Sequence, residues 1–162
     1  MICPICGKEI SYLWLYKDVE ANVAYKVSRN EMKENSIDVY YERDVSAETP
    51  CCRKVLDIDE DEVKELIRGK SLLIPIENIP EPILMDDSYH YCIEYNGKLY
   101  LAVEYFASLR TAYTWDDKEI GDLMIFREAQ ENKINTLKLK RLKQIAKKIN
   151  DEDLIMKEVE EK

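Results

Sequence analysis

The chain has 162 residues, 24 of them basic and 33 acidic, for a formal net charge of −9. That length suits one ordinary domain, or a small module plus a modest second one, and 46% apolar residues can bury a core, which excludes global disorder. No apolar run reaches the ~18–20 residues of a membrane span, the N-terminus lacks a basic-then-apolar secretion pattern, and so acidic a balance argues against a surface given over wholly to nucleic acid.

The opening segment MICPICGKEI carries Cys3 and Cys6, with Gly7 directly after the second. A two-residue gap lets both sulfurs reach one ion while the turn aims backbone N–H groups at the thiolates, and glycine meets the positive φ of such a knuckle. Residues 10–16 (ISYLWLY), 23–27 (VAYKV) and 37–41 (IDVYY) are β-branched and aromatic runs between charged turns, which predicts three short strands. Residues 49–56 (TPCCRKVL) then offer Cys51 and Cys52. Over 56–69 the period changes: Asp59 and Glu62 have capping-box spacing, Val63, Leu66 and Ile67 share a face, and Gly69 ends the helix. Pro75, Pro80 and Pro82 make 74–83 a stiff linker. Residues 89–105 read as a hairpin turning on Asn96-Gly97, and 115–128 is expected to begin a helical C-terminal part.

Charge is unevenly spread. Residues 71–132 carry 4 basic and 12 acidic groups, whereas 133–150 carry 7 basic groups and no acid, followed by a short acidic tail. Within 133–150, Leu139, Leu142, Ala146 and Ile149 fall on one helical face. Lys138, Lys140, Arg141, Lys143, Lys147 and Lys148 fill the others, as solvated lysines or as a contact for phosphates or an acidic partner. The tail opens with Asp151, Glu152 and Asp153, suited to a new helix N-terminus, and is placed to screen the basic helix.

Five cysteines at these spacings make a poor disulfide framework, so a reducing, cytoplasmic setting with thiolates on a metal is expected. The CPICG knuckle, the intervening strands and the second cysteine pair together resemble a zinc ribbon, over roughly a third of the chain. The resemblance implies structural zinc on Cys3, Cys6, Cys51 and Cys52. The second knuckle departs from the pattern C-P-x-C-G: Thr49 stands where a ligand is expected and Arg53 where glycine is expected. Either Cys51 and Cys52 both bind, or one binds and His90 or Cys92 completes the set, or the metal has been lost. Few Gln beside many Lys, Glu, Ile and Tyr leans toward a thermophilic composition.

Catalytic patterns are sparse. Phosphate loops, nucleophile elbows and H-E-x-x-H helices are absent from the sequence. Asp87 before the hairpin and Glu104 at its end resemble the acids of PD-(D/E)xK nucleases, but the lysine position two residues after Glu104 is Phe106, and Asp86-Asp87 also read as plain turn residues. The expected fold class is therefore α+β. It comprises a zinc-ribbon-like module (1–57), a connecting helix (58–73), the Pro-rich linker (74–83), and a hairpin-centred part (84–162) ending in the basic helix and acidic tail. The expected role is non-enzymatic: an accessory or regulatory protein in a nucleic-acid-processing complex, as zinc ribbons often are. The alternatives are an acidic inhibitor of a nucleic-acid enzyme and a degenerate nuclease. No membrane partner or small-molecule substrate is expected.

Overall fold

A computed structural model describes residues 1–27, 32–130 and 134–157, with the backbone alone across 17–45. Lys133, and the acidic end beyond Lys157, lie outside the described residues. The architecture is mixed α+β and mostly sheet, with three α-helices among the described residues. No helix among the described residues is long and apolar enough to cross a membrane.

The chain opens with an antiparallel pair, β1 (Trp14–Val27) and β2 (Met32–Glu48). These two long strands replace the three short ones expected: charged residues interrupt a hydrophobic pattern without interrupting backbone pairing, and three register shifts absorb the irregularity. The two-residue β3 (Val55–Leu56) then pairs with β2 on one side and with β8 (Leu109–Tyr113) on the other. Helix α1 (Glu60–Ile67) begins at the predicted cap, with the Asp59 and Glu62 capping bonds both formed, and Gly69 follows at φ +65°.

Next come β4 (Ser71–Pro75) and β5 (Ile83–Met85), and then the predicted hairpin, β6 (Ser88–Tyr95) and β7 (Lys98–Val103). Its turn residues Asn96 and Gly97 have φ of 49° and 76°, both positive as a type I′ turn requires. Helix α2 (Tyr105–Ser108) leads into β8.

Residues 115–128 do not begin a helix. Most of them form β9 (Glu119–Glu128), which pairs with β4, β7 and β8. Leu123 and Ile125 face a cluster with Leu56, Leu66 and Leu73, while Met124 and Phe126 face a second cluster with Ile74, Ile93 and Tyr100. Four consecutive apolar residues are what a strand buried on both faces needs, and such a run cannot be told from a buried helix by pattern alone.

The basic helix is also shorter than its pattern. Helix α3 (Thr136–Ile145) ends at Ala146, where ψ turns to 133°, and β10 (Lys147–Lys148) joins the edge of β6 in parallel. Leu139 and Leu142 pack on Cys92 and Leu99, whereas Ile149 enters the other core cluster. Pairing with β6 overrides the continued helical period.

Candidate metal centre

Two tight turns build the site. In the first, Cys3 N–H donates to Lys8 O at 2.9 Å and Gly7 N–H to Cys3 O at 3.0 Å. In the second, Thr49 N–H donates to Lys54 O at 2.8 Å and Arg53 N–H to Thr49 O at 2.9 Å. The bonding is the same with residues shifted by 46, so Thr49 occupies the place of Cys3, and Arg53 that of Gly7. Their φ values agree as well, 71° for Gly7 and 58° for Arg53. Thr49 and Arg53, the two departures noted in the sequence, therefore sit in a turn with the same backbone bonding as the first.

The two equivalent positions differ in what surrounds them. A Cβ on Gly7 would lie 2.6 Å from Ile155 Cδ1. At Arg53 the side chain instead reaches out of the turn, ion-pairs with Glu48 and lies 5.8 Å over the Trp115 ring. Glu48 is 1% exposed and also accepts from the Tyr16 hydroxyl at 2.5 Å. Tyr16 in turn packs 5.4 Å from Trp115. No local spacing announces this buried carboxylate with its arginine and aromatic cover, because Tyr16 and Trp115 lie far along the chain from the turn that carries Glu48 and Arg53.

The turns bring together the Sγ atoms of Cys3, Cys6, Cys51 and Cys52, all within 4.8 Å of one another. Cys3 and Cys52 are 3.9 Å apart and Cys6 and Cys51 3.3 Å. A tetrahedral ion with metal–sulfur bonds of about 2.3 Å places its ligands about 3.8 Å apart, so the spacing fits one ion. Cys51 corresponds to Ile5 of the first turn, so the second knuckle supplies its two sulfurs from adjacent residues. Thr49 Oγ1 lies 3.2 Å from Cys52 Sγ and accepts from Lys54 N–H at 3.1 Å, so the replaced position still touches the cluster.

Electrostatics favour a cation here. Burial foremost, with Thr49 opposing it and the charges of Cys3 and Cys6 adding to it, pushes the Cys52 thiol up to about 11. Burial, then hydrogen bonds from Cys6 and Cys3, pushes Cys51 further. Burial also acts on Cys6, but hydrogen bonds from Lys8 and the other cysteines outweigh it and lower its value. Two of the four sulfurs, Cys51 and Cys52, resist carrying charge beside their neighbours, a cost that a divalent ion among them would offset. Cys3 is fully buried and Cys6 exposed, so one edge of the cluster meets solvent.

The other sequence candidates lie elsewhere. Cys92 is 1% exposed in the core cluster beside α3, and burial raises its thiol to about 11. His90 sits on β6 between Ile83 and Val103, and neither residue joins the four-cysteine group. Among the basic residues of α3 and β10, Lys138 pairs with Asp86, and Lys147 donates to Asn78 O at 2.9 Å. Lys140, Arg141 and Lys148 are exposed. Asp87, Glu104 and Phe106 line one surface cavity, and Phe106 is 86% exposed with no lysine in its place. No protein-family profile, curated protein or solved structure matches the chain.

Proposed function

We propose that Cys3, Cys6, Cys51 and Cys52 bind one Zn²⁺ as a closed structural centre. We further propose that the chain is a non-enzymatic accessory or regulatory protein docked on a nucleic-acid-processing complex, where the basic surface of α3 and β10 makes contact. The observation that carries this reading is the convergence of four sulfurs at tetrahedral spacing. Four thiolates would complete a zinc coordination shell and leave no position for a reacting water, which favours a structural role. The burial of Leu139 and Leu142 on the inner face of α3 supports the second half, since it anchors the helix and leaves Lys140 and Arg141 facing outward.

The test is metal analysis of the purified full chain, followed by binding to a single-stranded RNA and a duplex DNA at several salt concentrations. One equivalent of zinc, lost in Cys3→Ser, is expected; iron in its place, or no metal, overturns the zinc assignment. Salt-dependent binding that weakens about tenfold in Lys140→Ala/Arg141→Ala supports the nucleic-acid contact. Binding unaffected by that change, or no binding, removes it.

A further inference from the structure

We propose that the groove between the β5–β6 turn and α2 is a docking site for an arginine side chain in an exposed segment of a partner protein. This inference is independent of the metal. The groove encloses about 470 Å³. Its floor is Tyr91, only 8% exposed, while Tyr89 and Phe106 stand 59% and 86% exposed at its walls. Tyr105 links floor and wall, its ring centroid 6.3 Å from Tyr91 and 5.5 Å from Phe106, the latter contact edge-on at 87°. A phenyl ring held in place by a neighbouring ring yet left almost wholly in water costs solvation unless something covers it.

Charge identifies the occupant. Asp87 and Glu104 line the same groove, and no ion pair involves either one among the described residues. Nearby Asp86 is already engaged by Lys138 and lies within reach of His90 on β6, while the charge of Glu81 reaches Tyr91 on the groove floor. The surrounding stretch 71–132 carries 12 acidic groups against 4 basic ones. Aromatic faces beside carboxylates suit a cation, and guanidinium best of all: it stacks flat on rings and can pair with a carboxylate in bidentate fashion. Phosphates of nucleic acid would be repelled.

The backbone is shaped for this arrangement. Glu104 has φ 64° and ψ 121°, a rare conformation for a residue with a side chain, and it ends β7 abruptly so that Tyr105 and Phe106 swing over the groove. Asp86 and Asp87, with φ of 50° and 61°, form the tight turn that closes the opposite end.

Fluorescence polarisation on the full chain tests the proposal, using a dye-labelled, end-capped Gly-Ser peptide carrying two arginines and the same peptide with glutamine in their place. Saturable, salt-sensitive binding of the arginine peptide is expected, weakened about tenfold in Phe106→Ala and in Glu104→Gln and unchanged in Tyr12→Ala, an exposed aromatic outside the groove. Phe106 is so exposed that its removal leaves the core intact, which keeps the test independent of folding. No binding at millimolar peptide, equal binding of the glutamine peptide, or affinity unchanged in both groove variants overturns the proposal. A solution dimer that Phe106→Asp dissociates also overturns it, since a second copy would then be the occupant.

Discussion

Arg53 illustrates how one residue balances opposing terms. Its φ of 58° costs roughly 1 kcal/mol relative to glycine. Against this, its guanidinium is the ion partner of Glu48, a carboxylate almost fully out of water. A buried charge stripped of its partner is strongly destabilising, by ~3–5 kcal/mol for a fully buried pair, and less here because the Arg53 side chain is 70% exposed. Arg53→Gly is therefore expected to lower stability by about 1–2 kcal/mol in urea unfolding, despite relieving the backbone. Arg53→Gly/Glu48→Gln should recover most of the loss, because the neutral amide no longer needs a cation. If the single change proves stabilising, the backbone cost dominates and the pair contributes little. In sequence Arg53 stands out only as a departure from glycine; its partner Glu48 lies across the turn and no spacing rule connects them.

At the scale of elements, α1 does more than its capping box announces. Asp59 accepts from Glu62 N–H at 2.9 Å, as the spacing predicted. Glu62 is also 4% exposed and receives Arg110 from β8 through two nitrogens and Arg127 from β9 at 3.2 Å. One carboxylate thus caps a helix and ties it to two strands. Asp59→Ala should cost about 1 kcal/mol, the usual loss of a cap. Glu62→Ala should cost ~3 kcal/mol or more, because it leaves Arg110, half-buried, without its counter-charge. Equal losses in chemical denaturation would show that Glu62 acts as a cap alone. The hairpin turn and the α1 boundaries were legible because they depend on neighbours in sequence. The strand character of 119–128 was not, since a run such as Leu-Met-Ile-Phe states that it is buried without stating by what.

For the whole molecule, the cysteine cluster sits where distant parts of the chain meet. Met156 N–H donates to Pro4 O at 2.7 Å, and Ile155 packs against Gly7, so the C-terminal segment rests on the first knuckle. The second knuckle leads directly into β3, which bridges β2 and β8. If the four sulfurs bind zinc as proposed, chelation should lower the thermal midpoint and speed amide exchange at Met156 and Gly7 ahead of β9. It should also expose four thiols to a small alkylating reagent while Cys92, buried under α3, stays protected. Uniform exchange across the sheet, or a fifth thiol reacting with the other four, would contradict that order.

The sequence by itself determined the local features: the CPICG turn, the capped helix, the Asn-Gly hairpin and the mixed α+β class. These follow from spacing, φ preference and periodicity within a few residues. It also singled out Cys51 and Cys52, yet left open which of them joins the first pair. Only the tertiary structure decided that both do, because the decision depends on two turns 46 residues apart adopting the same backbone bonding around a shared centre. The same is true of the Glu48–Arg53–Trp115 cluster, the end of α3 and the aromatic groove. Each is assembled from segments whose proximity is created by sheet pairing, and pairing between distant strands is set by how the whole core packs, which no local pattern encodes.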